Sequence, residues 1–172
     1  MSERPRLVLV GPPGAGKSTV GAEVADRLGS VLHDTDAAIV QAQGRTISDI
    51  FVDDGEAAFR VLERAEVLRA LHMPDTVLSL GGGAVMDPDV QAALAGHTVV
   101  FLDVSIADAA GRVGFDASRP MLVVNPRASW MRLMQVRRPV YEAVATWRVD
   151  TAGRTAQEVA DEVVALLAGG VP

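Results

Sequence analysis

Residues 11–19, Gly-Pro-Pro-Gly-Ala-Gly-Lys-Ser-Thr, hold the only lysine among sixteen basic side chains. The spacing Gly11-x-x-x-x-Gly16-Lys17-Ser18 is that of a phosphate-binding loop. It lies after the apolar run Leu7–Val10 and before a helical pattern, the context such a loop requires. Glycines let successive backbone N–H groups turn inward around phosphate oxygens, with the positive end of the following helix behind them. Lys17 offers a compact, flexible ammonium to the β- and γ-phosphates, a role that a planar guanidinium fork fills poorly. The Ser18 hydroxyl suits Mg2+. Gly14, Ala15, Gly16, Lys17, Ser18 and Thr19 are therefore the candidate contacts to a nucleoside triphosphate. No Asn-Lys-x-Asp guanine signature can exist in a chain whose single lysine stands at position 17.

The remaining polar clusters decide what the triphosphate is used for. Asp34-Thr35-Asp36 follows the short segment Val31–His33, and the C-terminal ends of parallel strands line the ligand crevice. Two carboxylates one residue apart can divide the work, one facing Mg2+ through water and the other an acceptor hydroxyl. Asp103 closes the run Thr98-Val-Val-Phe-Leu-Asp103, where an ATPase would keep a carboxylate, but it reads more simply as a solvated strand end. Arg60, Glu63 and Arg64 share one helical face, which in isolation would be a solvated salt-bridge face. Leu80-Gly81-Gly82-Gly83 ends a strand with three residues that let a small ligand approach the backbone. Arg119-Pro120 in a loop, and Arg137-Arg138-Pro139-Val140-Tyr141 on a helix, are suited to clamping anionic groups.

These groups need a scaffold, and the pattern supplies one. Strands are expected at 6–10, 31–33, 76–80, 98–104 and 146–149. Helices are expected at 17–29, 36–43, 47–52, 56–72, 88–95, 106–112, 127–143 and 155–168, with Gly29 and Gly44 as C-terminal caps and Asp87-Pro88 and Ser105 as starts. Such alternation means βα units around a parallel sheet. At 172 residues, 49% apolar and 22% charged, the chain reads as one globular domain. A net charge of −6 argues against a nucleic-acid partner. Without cysteine there is no disulfide or thiolate metal site. No stretch reads as a signal peptide or membrane span, so a cytoplasmic location is expected. The stretch from Val113 to Pro126 loses all period and reads as a long loop, either a lid or a disordered segment.

In this order, Gly11–Thr19, Asp34-Thr-Asp36, Phe59-Arg60, Gly81-Gly-Gly83, Arg119-Pro120 and Arg137-x-Pro139-x-Tyr141 resemble the shikimate kinase family. The resemblance runs from Leu7 to about Leu167. It implies an α/β, three-layer P-loop kinase fold of the nucleoside-monophosphate-kinase type: a five-stranded parallel sheet flanked by helices, a mobile lid at about 113–126 and a substrate-binding helical segment at about 36–64. It implies ATP and Mg2+ as cofactors, and a monomer that phosphorylates shikimate on the way to chorismate and the aromatic amino acids. By position, Ser18 and Asp34 would hold Mg2+. Lys17, Asp36 and Arg119 would be catalytic. Asp36, Arg60, Gly81, Gly82, Gly83 and Arg137 would bind shikimate, with Glu63 holding Arg60. Arg119 would close over the phosphates, and Arg112 and Arg154 would flank adenine. Arg138, beside Arg137, leaves the register of the carboxylate contact open by one residue. The alternatives are another small-molecule kinase of the same fold, acting on gluconate or a nucleoside monophosphate, and a nucleotide-binding regulatory module without catalysis.

Overall fold

The computed structural model describes residues 3–113 and 125–169, apart from the side chains of 112 and 113. The elements follow as β1 (Leu7–Val10), α1 (Lys17–Leu28), β2 (Val31–Asp34), α2 (Thr35–Gln43), α3 (Ile47–Asp54), α4 (Glu56–Ala70) and β3 (Thr76–Ser79). A 3-10 turn (Ala84–Met86) leads to α5 (Pro88–Leu94), β4 (Val99–Asp103), α6 (Ile106–Val113), α7 (Pro126–Val144), β5 (Trp147–Asp150) and α8 (Ala156–Leu167). Every expected strand and helix is present, and only the 3-10 turn was not anticipated.

The five strands form one all-parallel sheet in the order β2-β3-β1-β4-β5. β1 and β4, which are near-continuous aliphatic runs, lie side by side at its centre and are fully buried, as strands covered on both faces must be. The edge strands β2 and β5 carry exposed residues. The main core is aliphatic and joins the sheet to α1, α5, α7 and α8. A second, smaller core of Ile39, Ile50 and Phe59, with Ile47, Phe51 and Leu62 against it, holds α2, α3 and α4 together apart from the sheet. Helix ends are closed locally. Gly29 and Gly44 cap α1 and α2, Asp87 accepts from the amides of Asp89 and Val90, and Thr155 with Glu158 forms a capping box.

Parallel alignment puts the C-terminal ends of all strands on one edge. The register sets Asp34 against Ser79 and Val10 against Phe101. The phosphate loop after β1, Asp34-Thr-Asp36 after β2 and the glycine triplet after β3 therefore open onto a common crevice, beside the point where the strand order switches direction. Among the described residues no helix is long and apolar enough to cross a membrane.

Candidate active site

The loop after β1 is shaped by glycine. Gly14 and Gly16 have φ of 84° and 83°, a region that side-chain-bearing residues rarely adopt. A Cβ on Gly11 would lie 2.5 Å from the Leu102 carbonyl oxygen of the neighbouring strand. Lys17 Nζ donates to the carbonyls of Gly11 (2.9 Å) and Pro12 (3.0 Å), so its ammonium lies across the loop. Trp130 of α7 donates its indole N–H to Pro13 O at 3.2 Å and ties that helix to the loop. Ala15 is buried, its N–H donating to Pro12 O at 3.2 Å.

Thr35 explains how Asp34 and Asp36 come to face different tasks. Its hydroxyl is buried between strand ends, donating to Ser79 O and accepting from Gly81 N–H, both at 3.3 Å. With the middle residue anchored, its neighbours diverge. Asp34 accepts from the Ser18 hydroxyl through Oδ2 and caps α2 through Oδ1, which accepts from Ala37 N–H at 3.0 Å. Asp36 turns towards the glycine triplet. Spacing alone singled out the two carboxylates; the threonine that separates them had no signal of its own.

The three glycines make room for the chain's own charges. A Cβ on Gly81 would stand 2.7 Å from Asp36 Oδ1 and 2.8 Å from Glu63 Oε2. On Gly82 it would meet Arg137 Nη1 at 3.3 Å, and on Gly83 the Arg60 guanidinium at 2.6 Å. The triplet was expected to admit a ligand to the backbone; what its missing side chains admit here is Asp36, Glu63, Arg60 and Arg137.

Glu63, buried to 3% exposure, accepts from Arg60 Nη1 at 2.7 Å. Burial pushes its carboxyl up, and the attraction of Arg60 only partly offsets that; Asp36 adds to the rise and Arg137 opposes it. The face Arg60-Glu63-Arg64 is thus not simply solvated: Arg60 enters the site, while Arg64 pairs with Asp87 at 3.2 Å. Tyr141 donates its hydroxyl to Gly82 O and is hydrogen-bonded to Arg137. Burial lifts its pKa to about 12, against the pull of Arg137, so it stays a donor at any working pH. Tyr141 appeared in the sequence only as part of a motif; its part in placing Arg137 comes from the fold.

Two adjoining cavities result. One, of about 590 Å3, is lined by Arg60, Glu63, Gly83 and Arg137, with Arg132, Leu133 and Met86 further out. The other, of about 630 Å3, is lined by Gly14, Gly16, Lys17, Ser18, Thr19, Asp34, Asp36, Gly81 and Gly82. Asp36 therefore shares its hollow with Lys17, and the two arginines reach the same glycine segment from the neighbouring one. The adjacent Arg137 and Arg138 point different ways. Arg137 lines the cavity, whereas Arg138 turns to β4 and binds Asp103. Asp103 itself corrects an expectation: it is no solvated strand end but is 5% exposed and held by Arg138 and Arg148. Arg154 lies after β5, donating to Asp150 O and pairing with Glu162 at 2.5 Å, and lines neither cavity. Arg119 and the Arg112 side chain lie outside the described residues.

Comparison with known proteins fits this geometry. A family model described as shikimate kinase matches residues 13–168. A shikimate kinase of Streptomyces avermitilis is 55% identical over 160 residues, 93% of this chain and 94% of that protein. That of Thermobifida fusca is 53% identical, over 94% of each chain. Among solved structures, a shikimate kinase from Acinetobacter baumannii in complex with shikimate superposes with a TM-score of 0.92 at 33% identity, covering 98% of this chain and 94% of that one.

Proposed function

This chain belongs to the shikimate kinase family, and from that premise we infer that it is an ATP-dependent kinase that transfers the γ-phosphoryl group to the 3-hydroxyl of shikimate. The observation that carries the reading is that Lys17 and Asp36 line one hollow with Gly81 and Gly82, while Arg60 and Arg137 line the adjoining one with Gly83. Phosphoryl transfer asks mainly for positioning and charge stabilisation, and each part has a residue for it.

The loop amides from Gly14 to Thr19 and the Lys17 ammonium grip the β- and γ-phosphates. Ser18 and Asp34, already in hydrogen-bond contact beside Lys17, are a hydroxyl and a carboxylate of the kind that hold Mg2+ together with substrate phosphates and waters. Mg2+ held there would supply charge neutralisation at the transferring phosphoryl group. Asp36 orients the acceptor hydroxyl or takes its proton. Arg60 and Arg137 hold the shikimate carboxylate with paired charge-assisted bonds, Arg60 steadied by Glu63 and Arg137 by Tyr141. Gly81, Gly82 and Gly83 let these groups converge.

The reading takes residues 1–172 as one kinase domain, with 36–64 as its acceptor-binding helices and 113–126 as its lid. Closure of that lid would bring Arg119 over the phosphates and exclude water as a competing acceptor. Arg112 and Arg154 would flank adenine, which requires Arg154 to exchange Glu162 for the base. A monomer in the cytoplasm, without nucleic acid or membrane, suffices for this chemistry. A gluconate or nucleoside-monophosphate kinase is disfavoured by the family, and a regulatory module would have no use for an acceptor hollow. ADP release measured with shikimate, gluconate and AMP tests the reading. Turnover is expected with shikimate alone. Faster turnover of either rival acceptor, or ATP binding with no turnover on any of the three, would overturn it.

A further inference from the structure

β4 presents Phe101 and Asp103 on one face, as residues two apart on a strand do. α7 meets that face with Arg138 and Tyr141, which lie three apart on a helix. Arg138 binds Asp103 through both carboxylate oxygens, Nη1 to Oδ2 at 2.7 Å and Nη2 to Oδ1 at 2.9 Å. Its guanidinium also lies 5.7 Å from the centroid of the Phe101 ring, against which Tyr141 stacks at 5.1 Å. Tyr141 then reaches Gly82 O. Arg148 of β5 binds the same carboxylate, Nε to Oδ2 at 2.9 Å, and Val104 N–H donates to Oδ1 at 2.9 Å. None of these groups lines the two cavities of the site apart from Gly82.

The bridge sits where α7 is weakest. Pro139 lies inside the helix, has no N–H to give the carbonyl four residues back, and crowds it. The turn carrying Arg137 therefore lacks a backbone tie at the position where a side chain must be aimed. A bidentate arginine–carboxylate pair supplies directional fixation of the kind a single contact does not.

We propose that Asp103 is a positioning residue for substrate binding: by clamping Arg138 it fixes the rotation of the Arg137–Tyr141 turn, and so directs the Arg137 guanidinium at the substrate carboxylate. This rests on the assignment of Arg137 as a carboxylate ligand, and the test separates the two. KM and kcat for shikimate and for ATP are measured in Arg137→Ala, Asp103→Asn, Arg138→Met, the double variant Asp103→Asn/Arg138→Met, Arg138→Lys and Arg148→Gln. Asp103→Asn and Arg138→Met each raise the shikimate KM by about tenfold or more, with the ATP KM within about twofold of the parent. The double variant is no worse than the poorer single one, because both break the same link. Arg138→Lys, which keeps one charged donor, recovers part of the loss. Arg148→Gln removes a partner of the same carboxylate that is not on α7, and leaves the shikimate KM near the parent value.

Additive losses in the double variant would mean that Asp103 and Arg138 act independently, and would overturn the proposal. Equal rises in both KM values would mean a merely structural bridge, and an unchanged shikimate KM in Arg138→Met would overturn the proposal outright. If Arg137→Ala itself leaves the shikimate KM unchanged, the carboxylate assignment fails instead. Should Asp103→Asn not fold, the two Arg138 variants decide alone, since that side chain is 37% exposed.

Discussion

Lys17 and Asp36 line one hollow, and the chemical type of each suits it to a different task. Lys17 rests on the carbonyls of Gly11 and Pro12, contacts that a phosphate would replace. Lys17→Met is therefore expected to abolish transfer while leaving the fold intact, checked by ADP release and circular dichroism; near-normal turnover would refute the phosphate assignment. Asp36 and Glu63 both crowd the space where a Gly81 side chain would stand. Asp36→Asn keeps the shape and removes the charge, so kcat should fall by roughly 10²–10⁴-fold if the carboxylate takes the hydroxyl proton. An unchanged kcat would reduce it to a neighbour of the substrate. These two residues were legible in the sequence because spacing and context defined them. Thr35, buried between them with both of its hydrogen bonds made to β3 and the turn after it, was not, because its partners are more than forty positions away.

Among the elements, the segment Gly81–Gly83 and helix α7 do the most to assemble the site. The segment works by what it lacks. Gly83 has an ordinary φ of −99°, so an alanine there would fit the backbone and meet first the Arg60 guanidinium, 2.6 Å from the new Cβ. Gly83→Ala should thus raise the shikimate KM by roughly tenfold or more with little change in melting temperature, since misplacing a binding group costs activity without costing the fold. A large loss of thermal stability would show instead that the position is structural. In α7, periodicity located the helix to within one residue of its observed ends. It could not say which of two adjacent arginines lines the cavity, because neighbours on a helix differ by 100° and only the packing against β4 selects the rotation.

For the molecule as a whole, charge is concentrated where it is used. A chain of net charge −6 gathers Arg60 and Arg137 at one cavity and binds Arg138 and Arg148 to Asp103 at the adjoining strand end. Burial alone would raise the Asp103 carboxyl, but the hydrogen bonds from Arg138 and Arg148 outweigh it and hold it below its ordinary 3.8. The folded state therefore binds fewer protons than the unfolded one between its lowered pKa and 3.8, so this group's stabilisation is complete above 3.8 and lost as the pH falls through the lowered value. Thermal melts of the parent and Asp103→Asn should show their widest gap near neutral pH, closing in acid; a gap that widens in acid would mean the sign is reversed. The sequence by itself determined the phosphate loop, the strand and helix order, the parallel sheet and the family, since these depend on local residue types and on short repeats of two and 3.6 residues. Only the tertiary structure decided that Asp103 is buried, that Arg137 rather than Arg138 enters the cavity, and that the glycines yield their space to Asp36, Glu63 and the arginines. Those facts depend on distances between elements far apart in the chain, which no local pattern encodes.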